Sequence, residues 1–549
     1  MEFLYTFYLA ISRWVLPVLS LLLVALWIGC FRQSRPPRKV IARFVSRDGV
    51  PHPVVVAEGV LGRRRFCDVV IKGETIEKRH AMFYQKGEGW FIAPLQGETW
   101  LNEEYLEEPA PLLNGDVVAL CEQELIFECN RTELEDITSF TPPSGAGMMV
   151  VLTLFQVILG GQLCLRYLTD LNPMIPLCFG VLAVGGWVYF LIHRLVRAAP
   201  LLAEVPILYL LTLGTAVCAC AAPDVLLKQL VCTLLGAAGC VILTLLLKYP
   251  ALCQRLRYGF AVLAVGVMAF TVVFGTRING SRNWLSVGSY SFQPSEFAKV
   301  ALLLVGSCCL YVTLQKVWNR LFFFGFSAIL MGCLVLMVDF GAIAIFFVTT
   351  LVLLLMQLTD WRLVVLLLVG AVGVGTVVLM LYPHIADRFS VWTNVWQYAS
   401  STGYQQTRTL IAAASGGLLG LGGGNGTLRS VAAADTDLVF GVLCEEWGSI
   451  IALCAALCFV ALGVYARRLA AYTASSFYAT AVCGAATMML FQTALNLFGS
   501  TDILPLTGVT MMFVSRGGTS LVASFLLLAF FKAAERTPAP LETERRRYY

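Results

Sequence analysis

The chain has 549 residues, of which 58% are hydrophobic and only 13% are charged, and its mean hydropathy is +0.77. Soluble domains carry about 25% charged residues, so a chain made only of soluble domains is excluded. The net charge of +5 is small and gives no reason to expect a nucleic-acid partner. Apolar runs of about 20 residues recur along the chain, which is typical of a polytopic α-helical membrane protein.

The first apolar run, residues 14–30, is followed at once by the basic residues Arg32, Arg35, Arg38 and Lys39. By the positive-inside rule, residues 1–31 are predicted to form a transmembrane anchor whose N-terminus lies outside and whose C-terminus lies inside. In a cleaved signal peptide the charges come before the apolar run, so the order here argues against one.

Residues 40–130 differ from the rest of the chain because they are charged and contain only short apolar stretches, such as 69–71, 81–84 and 117–120. Turn signals such as Asn114-Gly115-Asp116 separate these stretches. The pattern predicts a small all-β sandwich inserted between membrane spans. The basic residues before it place this domain in the cytoplasm.

From residue 148 onward the sequence predicts twelve further spans, which makes about thirteen in all. Basic and non-basic connections alternate, so the basic tail, residues 533–549, is also expected in the cytoplasm. Two outer connections, 276–295 and 382–437, are long and polar and contain arginines, which suggests that some of these arginines have a ligand. The predicted spans are 148–168, 174–193, 202–221, 226–247, 257–275, 295–314, 321–338, 342–358, 362–382, 438–465, 477–498 and 511–531.

Polar motifs gather at the ends of the later spans. Pro294 and Ser295 predict a helix start, and Glu296 and Lys299 follow on one face, where they can form a structural ion pair. The other motifs are Asp339-Phe340-Gly341, residues 403–405, residues 415–420, Thr436-Asp437-Leu438, Cys444-Glu445-Glu446-Trp447-Gly448, residues 504–508, and Ser515-Arg516-Gly517-Gly518.

The order and spacing of these motifs closely resemble the SEDS family of cell-wall polymerases, the RodA, FtsW and SpoVE group. The resemblance implies a ten-helix catalytic core, strongest over residues 257–532, and extra N-terminal helices within residues 148–247. It implies that lipid II is polymerised into β-1,4 glycan strands at the outer face of the bacterial cytoplasmic membrane, with undecaprenyl pyrophosphate as leaving group. It also implies a class B penicillin-binding transpeptidase as partner.

The family's essential acid falls on Asp437, and the chemistry of the residue points the same way. A carboxylate at the membrane boundary is costly unless it has a task or a partner, and glycosyl transfer needs a base for the acceptor hydroxyl. The alternative is that Asp437 caps its helix or pairs with a cation. The departing pyrophosphate needs positive charge, for which Arg282, Arg388 and Arg408 are candidates, with a divalent cation, Mg or Mn, left open.

The resemblance places further substrate-binding candidates around the same cleft: Trp284, Gln293, Ser295, Gln405, Ser515, Gly517 and Gly518. Asp339, Glu445 and Glu446 are expected to form structural ion pairs. Asp339 is also expected to tie down the end of a broken helix. The two glutamates are expected to partner basic residues near the core, and a proton-related role is their alternative. A metal site of Cys and His residues is not expected, because the cysteines lie mostly in apolar runs.

The β domain resembles a forkhead-associated (FHA) domain through Gly62-Arg63, Arg79-His80, Asn102 and Asn114-Gly115-Asp116. Such domains read phosphothreonine with an Arg, a Ser and an Asn. Arg63 is in place, but Glu77 and Gly97-Glu98 stand where the Ser and the Asn-Gly pair belong, and carboxylates have the wrong sign for a phosphate. We expect a domain that binds a protein surface; a phosphopeptide site at Arg63 and Asn102 is the alternative.

The sequence therefore predicts a membrane-bound peptidoglycan glycosyltransferase. Two alternatives remain open at this point. One is a lipid II flippase, which would use carboxylates at the bilayer midplane. The other is an inactive scaffold that positions a transpeptidase through the β domain.

Overall fold

The computed structural model describes residues 2–34, 38–55, 58–64, 67–86, 89–129, 136–137, 145–197, 201–278, 281–288, 290–310, 317–357, 390–473 and 475–535, with a few residues between 365 and 380. In this part of the chain ten helices are long and apolar enough to cross a membrane, and a shorter apolar helix covers Phe340–Met356. The chain is therefore a polytopic membrane protein, as its composition predicted.

One long helix precedes the β domain and five helices follow it before the outer connection that holds Arg282, as predicted. The first is α1 (Glu2–Gln33). The next five are α2 (Ala146–Arg166), α3 (Met174–Arg197), α4 (Glu204–Ala221), α5 (Leu226–Leu246) and α6 (Pro250–Phe274).

The second half of the chain contains eight described helices. These are α7 (Pro294–Cys309), α8 (Val317–Met337), α9 (Phe340–Gln357), α10 (Tyr404–Gly416), α11 (Val439–Trp447), α12 (Ser449–Tyr472), α13 (Ser476–Ser500) and α14 (Gly518–Glu535). Most of the predicted span 362–382 lies outside the described residues.

Two predictions for the second half were wrong in detail, and one helix in an outer connection was not predicted. The predicted single span 438–465 is two helices, α11 and α12, which meet at Gly448 with φ 89°. A side chain at Gly448 would overlap the Leu418 carbonyl, so a close backbone approach breaks the helix there. The outer connection 382–437 contains α10, and the last span begins at Gly518 rather than at residue 511.

The β region contains the strands β1 (Arg38–Lys39), β2 (Ala42–Ser46), β3 (Pro51–Val54), β4 (Glu58–Gly62), β5 (Val69–Val70), β6 (Ala81–Lys86), β7 (Gly89–Pro94), β8 (Thr99–Leu101), β9 (Glu104–Tyr105), β10 (Ala110–Leu112), β11 (Val117–Leu120), β12 (Gln123–Glu128) and β13 (Asp136–Ile137). β1 pairs with β13, and the other eleven strands form the two sheets of the predicted sandwich. One has the order β10-β7-β6-β4-β5 and the other β3-β2-β12-β11-β8-β9, and all pairs are antiparallel except β4 with β5. Phe44, Phe83, Trp90 and Phe127 pack between them in a core separate from that of the helices.

The outer connection between α6 and α7 is a three-stranded antiparallel meander, which the sequence did not predict. Its strands are β14 (Thr276–Ile278), β15 (Ser281–Val287) and β16 (Tyr290–Phe292). The Ser281 hydroxyl donates to the Val338 carbonyl at 2.9 Å and so fixes the meander to the junction of α8 and α9.

Polar side chains join the helices inside the membrane. Gln156 on α2 donates to Thr212 on α4, and Tyr209 on α4 donates to Ser20 on α1, each at 3.0 Å. Such bonds are a common way of holding membrane helices together, because lipid provides no hydrophobic drive for their association. The sequence reasoning did not identify any of these residues.

Candidate functional site

The candidate base, Asp437, lies immediately before α11 and is half-buried. Its N–H donates to the Ala433 carbonyl at 2.9 Å, and its own carbonyl accepts from the Asn496 amide at 2.9 Å. The same amide also donates to the Val509 carbonyl at 2.7 Å. Position 508 is a glycine with φ 71°, and a Cβ there would lie 3.4 Å from Oδ2 of Asp437. The backbone of residues 507–510 therefore lies next to the carboxylate.

The motif that precedes α14 holds the Asp437 loop in place. The Ser515 hydroxyl donates to the Thr436 carbonyl at 2.5 Å and accepts from the Met511 N–H at 2.8 Å. The Arg516 guanidinium pairs with Asp435 at 2.8 Å. In the structure these two residues stabilise the loop.

The two glycines of this motif lie at the start of α14. A Cβ at Gly518 would lie 2.8 Å from Sγ of Cys232 on α5, which explains the glycine by helix packing. Gly517 has room beside Ser520. A role of Ser515, Gly517 and Gly518 in substrate binding stays a prediction.

Two candidates lie on α10, beside the same loop. Gln405 donates to the Ala432 carbonyl at 2.9 Å, five residues before Asp437, and so supports the loop. Arg408 is exposed, with its guanidinium 5.1 Å from the centre of the Tyr404 ring. Arg388 lies outside the described residues.

Asp339 caps α9 and collects side chains from the outer meander. Its Oδ1 accepts from the Ala342 N–H at 3.1 Å, and its Oδ2 accepts from Asn283 at 2.9 Å and from Gln293 at 3.3 Å. Its partners are thus amides, which corrects the prediction of an ion pair. The first turn of α9 packs on residues 507–510, because a side chain at Gly341 would overlap Val509.

Arg282 and Trp284 lie on β15, on either side of Asn283, so both point away from the face that bonds Asp339. Both side chains are half-buried. Arg282 donates to the Val272 carbonyl at 3.4 Å, at the end of α6. The contacts that lead towards Asp437 start at Asn283 and pass through Asp339 and residues 507–510, whereas the Arg282 side chain lies on the other face of β15.

The predicted ion pair of Glu296 and Lys299 is present, with 2.7 Å between Oε1 and Nζ, and both side chains are buried. Nζ also donates to the Gln492 side chain at 2.7 Å, and Gln492 donates to the Thr510 carbonyl at 2.9 Å. The pair therefore supports the backbone segment that lies against Asp437.

Glu445 and Glu446 were predicted to partner basic residues, but backbone N–H groups are their main hydrogen-bond partners. Glu445 accepts from the N–H groups of Thr427 and Leu428, each at 2.9 Å, and Glu446 accepts from that of Asn425 at 3.1 Å. The two carboxylates thus bind the loop that leads to Asp437.

Some buried polar oxygens near this site make no hydrogen bond within the described residues. They are Oδ1 of Asn496, Oγ1 of Thr507, Oδ1 of Asn283 and Oγ of Ser295. Native proteins leave few buried polar groups unpaired, so these atoms are suited to a polar ligand. Asn496 was missed from the sequence, where it stands in an apolar helix without a motif, and Thr507 lies in the 504–508 motif but was not predicted as a site residue.

A divalent cation requires several ligand atoms that converge on one point. Within the described residues, such a group lies away from Asp437. The one group of three that they contain is His193, Glu204 and Glu535, where the Lys532 ammonium already contacts both carboxylates. The described residues around Asp437 do not form such a group.

In the β domain, the residues of the alternative phosphothreonine site make hydrogen bonds within the domain. Asn102 donates to Asp116 at 3.0 Å and accepts from the Val117 N–H at 2.9 Å, so it serves a turn. Arg63 is exposed and donates to the Glu74 carbonyl at 3.2 Å. His80 is buried, and its ring bonds the Glu77 N–H at 3.2 Å and the Glu98 carbonyl at 2.8 Å.

The fold and site define a polytopic membrane protein with an inserted β-sandwich and a loop that carries Asp435 and Asp437 at one end of its helices. The family model described as cell cycle protein, FTSW_RODA_SPOVE, matches residues 190–537, and the chain belongs to this family. The FHA domain model matches residues 59–121, within the β-sandwich.

Relatives and a solved structure agree. The chain is 30% identical over 309 residues to "Probable peptidoglycan glycosyltransferase FtsW" of Pseudomonas fluorescens, a match that covers 54% of this chain and 75% of the relative. It is 28% identical over 343 residues to "Peptidoglycan glycosyltransferase RodA" of Mycobacterium bovis, covering 58% and 72%. A chain from the structure titled "Structural coordination of polymerization and crosslinking by a peptidoglycan synthase complex" matches with TM-score 0.50 and 25% identity, covering 61% of this chain and 98% of that one.

Proposed function

We propose that this protein is a peptidoglycan glycosyltransferase that polymerises lipid II, with Asp437 as its base. The observation that carries the proposal is the placement of Asp437. Its half-buried carboxylate lies against the backbone of residues 507–510, in a loop held by Ser515, Arg516 and Gln405. A base must be held in position to work.

In the proposed reaction Asp437 takes the proton from the 4-hydroxyl of the acceptor sugar as that oxygen attacks the anomeric carbon of the donor. The bond to the lipid pyrophosphate breaks, and the pyrophosphate leaves as a stable anion. It needs no protonation, unlike the alkoxide that glycosidases expel. The unpaired oxygens of Asn496 and Thr507 can accept hydrogen bonds from sugar hydroxyl or amide groups.

The leaving pyrophosphate needs positive charge at the same end of the helices. We assign this role to Arg282, Arg388 and Arg408, because all three belong to the outer connections. Arg408 is exposed in the structure, so it can reach a ligand without losing a buried partner. The proposed substrate-binding residues of the meander and α7 are Trp284, Gln293 and Ser295.

We place the reaction on the outer face of the cytoplasmic membrane, and the FHA domain and the C-terminus in the cytoplasm. This orientation puts the connections that are rich in basic residues on the cytoplasmic side. A class B penicillin-binding transpeptidase is the proposed partner in the membrane. The solved complex whose title describes polymerisation together with crosslinking supports this choice.

The proposal is tested by giving the purified protein, with its transpeptidase, labelled lipid II in detergent. We expect long glycan chains on a gel. Detergent removes the two sides of a membrane, so a flippase would yield none, and that result would favour the flippase. In cells that depend on this protein, Asp437→Ala should stop wall synthesis; continued synthesis would favour the inactive scaffold.

For the FHA domain we propose binding to a protein surface without phosphothreonine. The Asn of a phosphopeptide site would stand at position 97, which is a glycine here. A side chain at this position would overlap the buried ring of His80. In addition, Glu77 and Glu98 are exposed where a phosphate would lie.

Titration of the full-length protein with phosphothreonine peptides should therefore show no micromolar binding. The control compares Arg63→Ala with Arg64→Ala, since both arginines are exposed. Micromolar binding that is lost in Arg63→Ala and kept in Arg64→Ala would contradict the proposal.

A further inference from the structure

Two helices outside the region that the family model matches hold the loop that carries Asp437. The model matches residues 190–537, whereas α1 and α2 end at residues 33 and 166. Both helices pack on each other, and their outer ends reach the loop between α10 and α11. The resemblance to the family therefore says nothing about what these helices do.

The loop needs support from outside itself. It contains Gly422, Gly423 and Gly424 in succession, and glycines lose the most backbone entropy when they are fixed. Glu445 and Glu446 bind the loop from the side of α11. These contacts leave the opposite side of the loop to be held by other elements.

The side chain of Gln162 on α2 joins four elements. Its oxygen accepts from the Gly423 N–H at 3.3 Å and from the Trp447 indole on α11 at 3.1 Å. Its nitrogen donates to Ser12 on α1 at 3.0 Å. Gln162 is only 1% exposed. Because Gly423 and Trp447 are buried as well, the N–H group of each depends on the Gln162 amide for its hydrogen bond.

Two tyrosines add contacts beside Gln162. The Tyr5 hydroxyl on α1 accepts from the Asn425 amide at 2.8 Å and donates to the Gly423 carbonyl at 3.4 Å. The Tyr167 hydroxyl, at the end of α2, accepts from Arg429 at 2.9 Å. The loop glycines fit this surface closely, since a Cβ at Gly424 would lie 2.7 Å from the Tyr167 oxygen.

We propose that α1 and α2 form a clamp for the catalytic loop, in which Tyr5, Gln162 and Tyr167 are positioning residues for Asp437. The inference rests on the proposed function. The clamp holds residues 423–429, and the loop then continues directly to Asp437. A displacement of about 1 Å at a reacting group can cost about 100-fold in rate, so the clamp acts on kcat rather than on substrate affinity.

The test uses the full-length protein with its transpeptidase and measures the rate of glycan formation from labelled lipid II. Tyr5→Phe removes one hydroxyl that bonds the loop. Tyr8→Phe is the matched control, because the Tyr8 hydroxyl donates to the Ile158 carbonyl at 3.0 Å on α2 and not to the loop. We expect kcat to fall about 3- to 10-fold in Tyr5→Phe, with KM unchanged, and to stay at the wild-type value in Tyr8→Phe.

Gln162→Leu should have the larger effect, about 10- to 100-fold in kcat. Because it leaves buried donors unpaired, its folding is checked by the apparent melting temperature. If this variant does not fold, the proposal is tested with Tyr5→Phe, Asn425→Ala and the double variant of the two. Because Tyr5 and Asn425 are partners in one contact, their losses in kcat should be non-additive in the double variant.

Equal kcat in the wild type, Tyr5→Phe and Tyr8→Phe would overturn the clamp, and so would a rise in KM with kcat unchanged. If the wild type itself makes no glycan, the proposed function fails instead. The two failures are therefore distinguished by the wild-type lane.

Discussion

At the scale of residues, the membrane core contains a buried charged side chain whose partners lie within hydrogen-bond distance. Lys299 is bound by Glu296 and by Gln492, at 2.7 Å each, within a buried environment. The i, i+3 spacing made the first partner predictable, because both residues lie on one helix. Gln492 is 193 positions away in sequence, and only the fold brings it to Lys299.

Lys299→Met should lower the apparent melting temperature in detergent, since it leaves Glu296 buried without its partner. Loss of one partner from a buried pair costs about 3–5 kcal/mol. The control is Lys228→Met, at an exposed lysine on α5, which should leave stability near the wild-type value. The double variant Glu296→Gln with Lys299→Met should recover part of the loss; a double variant no better than Lys299→Met would argue against the pair.

At the scale of elements, the sequence predicted most membrane spans and the β-sandwich because long apolar runs and short alternating stretches are local signals. It missed the break at Gly448, because apolar residues stand on both sides of Glu445 and Glu446 and therefore favour one continuous span. It also missed α10 and the outer meander, which lie in polar connections where hydropathy carries no signal. The partners of Glu445 and Asp339 depend on tertiary contacts, so a local pattern could not supply them.

The break between α11 and α12 is expected to be essential for the geometry of the site. Gly448→Ala would force a side chain into the Leu418 carbonyl and would also strain the backbone at φ 89°. We expect it to lower both the melting temperature and glycan synthesis. Gly325→Ala on α8 is the control, because a Cβ there meets nothing within 4 Å. Equal behaviour of the two variants would contradict this view of the break.

At the scale of the whole molecule, α14 connects the site to the opposite end of the membrane core. Its first residues follow Ser515 and Arg516, which hold the Asp437 loop. At its other end Lys532 binds Glu204 and Glu535, and the tyrosines Tyr189 and Tyr465 donate to these carboxylates at 2.8 Å. This buried cluster was not predicted, because its members come from four helices that are far apart in sequence. It fixes α14 against α3, α4 and α12.

The central claim is that the carboxylate of Asp437 removes the acceptor proton. Its most direct test is the rate of glycan formation from labelled lipid II by Asp437→Asn, which keeps the shape of the side chain and removes its basicity. The control is Asp502→Asn, since Asp502 is an acid beyond the end of α13 that contacts Gln406 at 3.4 Å. We predict a loss of at least about 100-fold for Asp437→Asn and near wild-type activity for Asp502→Asn. Glycan chains formed by a folded Asp437→Asn variant at the wild-type rate would contradict the account.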